Sequence, residues 1–220
     1  MKILYSCLFF LMNITAYTQT VALHRLVYEI RNPKTDAFHF RSALESIGEY
    51  LALNVLEELP CQETSIQTLT GKEAVHPLPR EMPVLVTILR AGLPLNAGVQ
   101  KVFPNAEVGF FAMARNEETL KAVTSYVALP NLEDRYVILS DTMIGTGGSI
   151  IDAISILEKR KPKKIFVIAA IASQLGVDRI LEAFPQVTIL RASTDPYLND
   201  KGYIIPGLGD AGDRCYGEKR

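Results

Sequence analysis

From Phe38 to Leu59 the segment FHFRSALESIGEYLALNVLEEL places Phe40, Leu44, Ile47, Leu51 and Val55 on one stripe at helical spacing. An amphipathic helix ending before Pro60 is predicted. Residues 61–82 are polar, with prolines at 77, 79 and 83 within or just beyond them, as expected of a connector or a peripheral hairpin. The texture then changes to short apolar runs: VLVTI from Val84, EVGFFAM from Glu107, YVILS from Tyr136, KIFVIAAI from Lys164 and QVTIL from Gln186. Each reads as a strand buried on both faces. Between them lie helical segments, notably GSIIDAISILEKR, in which Asp152, Ser155 and Lys159 form a narrow polar stripe. Alternation of strand and helix predicts an α/β fold: a single domain with a central, mostly parallel sheet flanked by helices. In such sheets ligands bind beyond the carboxyl ends of the strands, so the loops after VLVTI and YVILS are the places to look.

A chain of 220 residues suits one core, here assigned to residues 38–220, with residues 1–37 as an N-terminal extension. Lys2 and the apolar run Ile3 to Met12 have the outline of a signal peptide, but the run is too short for a membrane span and Thr15-Ala16-Tyr17 fits a cleavage site poorly. The alternative is a start read too early, with Met12 the initiator. The formal net charge of -1 lacks the footprint of a general nucleic-acid binder, although a local anion site needs no net charge. Cys7, Cys61 and Cys215 are far apart, and His24, His39 and His76 have no ligand-like spacing, so neither a disulfide framework nor a protein-built metal site is expected.

The chemistry concentrates in VILSDTMIGTGGSI, residues 137–150. Gly145, Gly147 and Gly148 allow a tight fold that turns main-chain N–H groups inward, while Thr146 and Ser149 add hydroxyls. The helix that follows directs its partial positive end to the same spot, so the loop reads as a phosphate cradle. Neither GxxxxGK[ST] nor GxGxxG is present. Asp141 at the mouth of the loop would repel a phosphate beside it, so it is expected to address sugar hydroxyls. A phosphorylated ribose fits both requirements. A glycine-rich turn without a ligand is the plain alternative.

Here the chain resembles the phosphoribosyltransferases, and within them the uracil-specific enzymes. SDTMIGTGGS is similar to their ribose-5-phosphate loop, and LRAGLPL from Leu89, ARNEET from Ala114 and YIIPGLGDAGD from Tyr203 match three further stretches. The last resembles the uracil-reading segment. The likeness runs from about Phe38 to the C-terminus.

The resemblance implies the following roles. Asp141, Thr142, Met143, Ile144, Gly145, Thr146, Gly147, Gly148 and Ser149 bind the phosphoribosyl part of the donor, 5-phosphoribosyl 1-diphosphate. Arg90 and Arg115 bind its diphosphate. Ile204, Gly209, Asp210 and Ala211 contact uracil, and Asp210 also contacts the donor. Arg115 and Asp210 are the catalytic candidates. Mg²⁺ accompanies the diphosphate, held mainly by substrate oxygens and water, with no metal ligand from the protein. A cytoplasmic homo-oligomer follows from the same likeness, as does binding of GTP, with neither nucleic acid nor membrane as partner. Because the donor is an intracellular metabolite, the early-start explanation of the first residues is favoured.

Chemistry supports these roles independently. Expelling pyrophosphate from an oxocarbenium-like centre builds negative charge on the leaving group, and arginines at strand ends can meet it. Small residues in PGLGDAGD expose main-chain groups that can match the alternating edge of uracil, while cytosine would leave a partner unsatisfied. The sequence departs from the uracil enzymes at Thr142, usually proline, and Gly145, usually alanine, which predicts a more flexible loop. Pro94 and Ala114 replace a common glycine and tyrosine. The absence of an acidic residue at 145 favours a pyrimidine over a purine. Rival readings are a transferase for another base, opposed by the GLGDAGD tail, and a donor-sensing RNA-binding regulator, which calls for a basic face.

Overall fold

The computed structural model describes residues 20–115 and 122–218, with backbone alone at 114, 115, 122 and 123. Helix α1 (Val21–Arg31) starts at Thr20, whose hydroxyl accepts the Leu23 N–H at 3.3 Å. It buries Leu23, Val27 and Ile30, so a segment set apart on sequence grounds contributes to the core. Helix α2 (Ala37–Glu58) is capped by Asp36, which accepts the His39 N–H at 2.9 Å, and buries the predicted stripe Phe40, Leu44, Ile47, Leu51 and Val55. The polar segment after Pro60 is a hairpin, β1 (Cys61–Gln67) paired antiparallel with β2 (Glu73–Pro79), and it lies largely exposed.

The remaining elements are β3 (Val84–Leu89), α3 (Gly92–Val102), β4 (Val108–Arg115), β5 (Ala122–Ala128), β6 (Tyr136–Ile144), α4 (Gly148–Glu158), β7 (Lys164–Ser173), α5 (Gln174–Ala183) and β8 (Thr188–Asp195). Two short strands, β9 (Tyr197–Leu198) and β10 (Ile204–Ile205), precede the last helix, α6 (Ala211–Tyr216). The main sheet has the order β5-β4-β3-β6-β7-β8, parallel except for β5, which runs antiparallel to β4. The predicted α/β architecture is therefore present.

Alternation along the strands divides the core between the two faces. On one face Leu85, Ile138, Phe166, Ile168 and Leu190 pack with α1, α2, α3 and α6; on the other Val84, Val86, Val137, Leu139, Val167 and Ile189 pack with α4 and α5. Strands β3 and β7 are buried almost throughout, whereas β8 at the sheet edge and β4 carry partly exposed positions. The expectation of full burial thus fails on β4 and on β8, the latter having a neighbour on one side only. Among the described residues no helix is long and apolar enough to cross a membrane.

This strand order fixes where a ligand can enter. From β3 the chain moves through α3 to β4 on one side, and it later returns to place β6 on the other side. The β3–β6 ladder ends at Thr87–Ser140, although β6 runs on to Ile144. In open α/β sheets the ligand crevice lies at such a switch point, outside the carboxyl ends of both strands.

Candidate active site

Beside the continuing part of β6 lies the loop after β3. Gly92 is packed so closely there that a Cβ would stand 2.4 Å from Thr87 Oγ1 and 2.9 Å from the Ser140 carbonyl oxygen. Only glycine brings residues 90–92 this near to Asp141, whose Cα is 3.5 Å from the same point. Hydroxyls reinforce the last ladder pair and extend the tie beyond it: Thr87 Oγ1 donates to the Ser140 carbonyl at 3.2 Å and Thr142 Oγ1 to the Ala91 carbonyl at 2.6 Å. Ser140 Oγ lies 3.2 Å from both the Val86 carbonyl and Asn96 Oδ1, and one hydroxyl proton cannot serve both acceptors. Rotating the Asn96 amide, whose Nδ2 has no partner, lets it donate to Ser140 while Ser140 donates to Val86.

Asp141 is half-buried at the start of this cleft. Desolvation pushes its carboxyl up from 3.8 to about 7, against the opposing effect of N–H groups donated by Thr142 and Met143. Beyond it the chain turns at Gly147, which has φ +82°, and enters α4 at Gly148. The turn is anchored from behind. Ser173 Oγ donates to the Gly145 carbonyl at 2.6 Å and Arg179 Nη1 to the Thr146 carbonyl at 3.1 Å. These carbonyls are thereby committed toward α5, while the first N–H groups of α4, as at any helix start, have no partner within the helix.

The C-terminal stretch forms the third wall. Asp210 caps α6 by accepting the Asp213 N–H at 3.0 Å, and Ala211 is buried beneath it. Gly209, at φ +85°, is exposed beside them, and Ile204 is buried in β10. Arg90 reaches this helix, donating from Nη2 to Asp213 Oδ1 at 3.1 Å. Gly145, in turn, lies near Gly202: a Cβ on it would be 3.5 Å from the Gly202 carbonyl oxygen. The loops around Arg90, Asp141–Ser149 and Ile204–Ala211 therefore meet around one cleft. Arg115 ends β4 on the neighbouring strand; its side chain, and residues 116–119 of the ARNEET motif, lie outside the described residues.

Sequence reasoning missed the support of this third wall. Asp195 is buried and receives both nitrogens of Arg31, one at 2.8 Å, together with the Gly207 N–H at 2.8 Å. Burial acts to raise the Asp195 carboxyl, but these partners prevail and hold it below its ordinary value. Arg214 adds bonds to the carbonyls of Ile30, Asn32 and Leu208 and stacks over the Phe40 ring at 4.1 Å.

A family model described as uracil phosphoribosyltransferase matches residues 17–218. The chain belongs to the uracil phosphoribosyltransferase family. Its activity is that of this family, a pentosyltransferase reaction joining uracil to the phosphoribosyl group of 5-phosphoribosyl 1-diphosphate, which yields UMP and pyrophosphate and serves pyrimidine salvage. It is 40% identical over 208 residues to the uracil phosphoribosyltransferase of Clostridium novyi, covering 94% of this chain and 99% of the relative. The Anoxybacillus flavithermus uracil phosphoribosyltransferase is 41% identical over 197 residues, 89% of this chain and 94% of its own. Among solved structures, the AQ2163 protein from Aquifex aeolicus superposes with a TM-score of 0.84 at 38% identity, covering 89% of this chain and 94% of that one.

Proposed function

We propose that the uracil phosphoribosyltransferase reaction runs in the cleft between β3 and β6, with the donor laid across all three loops. The observation that carries this reading is the convergence of Gly92, Asp141 and Arg90 with the C-terminal helix at the sheet's switch point. In it the main chain and hydroxyls of Thr146–Ser149 hold the 5-phosphate at the head of α4, and Asp141 accepts from the ribose hydroxyls. Arg90 and Arg115 grip the diphosphate. Uracil lies against Ile204, Gly209, Asp210 and Ala211, where main-chain groups read its edge.

Bond formation joins uracil N1 to the anomeric carbon while the bond from that carbon to the diphosphate oxygen breaks, its electron pair leaving with pyrophosphate and the N1 proton passing to water or to the departing diphosphate. The arginines stabilise charge that grows on the leaving group, which is how a fixed cation lowers a barrier. Asp210 stands where base and donor adjoin. Mg²⁺ fits as a substrate-borne ion: the described residues contain no group of three or more His, Cys, Asp or Glu side chains placed to hold one, and Mg²⁺ readily takes phosphate oxygens and water. When bound it would neutralise part of the diphosphate charge. A cytoplasmic setting follows from the donor, and the near-zero net charge speaks against a nucleic-acid partner. Homo-oligomerisation and GTP binding rest on the family likeness alone.

The test is a base panel with Mg²⁺ and product detection. Uracil should yield its monophosphate, while cytosine, orotate, hypoxanthine and adenine should not. Faster turnover of hypoxanthine than of uracil would overturn the reading.

A further inference from the structure

Thr142 follows Asp141 within β6, and its side chain is fully buried with its hydroxyl donating to the Ala91 carbonyl at 2.6 Å, so the ligand role expected of this residue can fall only on its main chain. That carbonyl belongs to the loop after β3, between Arg90 and Gly92. The same residue directly follows Asp141 in β6, and a Cβ placed on Gly92 would stand 3.5 Å from the Asp141 Cα. Thr142 thus ties the strand that carries Asp141 to the loop after β3, at the point where the β3–β6 ladder has already ended. From this geometry we infer that Thr142 is a positioning residue that fixes the separation between the ribose-binding carboxylate of Asp141 and the diphosphate-binding loop 90–92. The inference rests on the donor lying across both loops.

The consequence is selective. A ligand carrying both ribose and 1-diphosphate spans the two groups that Thr142 ties together. UMP has the ribose and the 5-phosphate but no diphosphate, so it does not engage loop 90–92. Without the hydroxyl, residues 90–92 lose a tether across the cleft, and displacement of about 1 Å in a group that positions substrate is enough to cost about 10- to 100-fold. Asp141 keeps its N–H donors, because any residue except proline supplies them.

The experiment measures steady-state KM for the donor and the calorimetric Kd for UMP in Thr142→Val, which preserves shape and removes the hydroxyl. Donor KM should rise about 10-fold while UMP affinity stays within about 2-fold, and Thr142→Ser should restore donor KM. Thr142→Cys, similar in size and a weak donor, is the second variant should the valine form not fold, and the same split is expected. Unchanged donor KM, or equal weakening of donor and UMP, overturns the inference. Failure of the broader reading is distinguishable, since the unsubstituted protein would then make no UMP from uracil and donor.

Discussion

Arg90 and Asp213 are joined at 3.1 Å, so the arginine that follows β3 is held by α6, the helix that follows the Ile204–Asp210 segment. Both side chains are partly exposed, at 41% and 32%. A pair this open contributes roughly 0.2–1 kcal/mol to stability, so its value lies in where it points the guanidinium. Asp213→Asn is expected to leave the thermal midpoint near that of the parent and to raise donor KM by about 2- to 5-fold, the same energy expressed as affinity. Initial rates at varied donor concentration check this. A large loss of thermal stability with unchanged KM would make the pair purely structural.

The leaving-group clamp gives a stronger prediction. Arg115→Ala should slow transfer by at least about 10²-fold in a folded protein, because the guanidinium is asked to stabilise charge that develops only in the transition state. Circular dichroism establishes folding and UMP production gives the rate. Near-normal turnover would demote Arg115 to an exposed charge.

How much of this was legible in the sequence depends on the distance over which each feature is determined. The strands VLVTI and YVILS and the helix of residues 38–59 follow from local apolar spacing, and they stand where that spacing puts them. The glycine-rich loop was readable because its backbone requirement is local too. Helix α1 has the same kind of signal in Leu23, Val27 and Ile30, but it adjoins an apolar N-terminal run that draws attention away from it. The Arg31–Asp195 pair spans 164 positions, and no spacing rule announces such a contact. Nor could the sequence give the direction of the Thr142 hydroxyl, which depends on how closely Gly92 lets two strand ends approach.

Gly147 illustrates a difference between reading a loop and seeing it. A Cβ at this position would meet the Gly176 carbonyl oxygen of α5 at 2.9 Å, and the residue has φ +82°. Gly147→Ala should therefore destabilise the fold by about 1–3 kcal/mol, roughly 2–10 °C in thermal midpoint for a chain of this size. Gly148→Ala meets nothing closer than Thr146 Oγ1 at 3.6 Å and should fold normally. Calorimetric scans of both variants decide it: equal midpoints would mean that the turn at 147 relaxes without strain.

Asp141 gives the pH prediction. Its carboxyl is raised from 3.8 to about 7 by desolvation, so between those values the folded protein holds a proton that the unfolded chain has lost. Stability then contains a contribution that is full below about pH 4, declines as pH rises toward 7 and is absent above it, the reverse of a salt-bridged carboxylate. Donor binding should move the other way, because the ionised carboxylate is the better acceptor for ribose hydroxyls and its population grows through the same window. The observable is a pair of opposed slopes: thermal stability falling and donor affinity rising from acid to neutral pH. Asp141→Asn should remove both slopes while weakening donor binding by roughly 1.5–3 kcal/mol, the range for a hydrogen bond to a charged group. Denaturant titrations and donor KM at matched pH values, parent against variant, isolate the Asp141 contribution. Identical pH dependence of stability in the two proteins would show that this carboxyl titrates at its ordinary value, and the cleft would then hold Asp141 already ionised before the donor arrives.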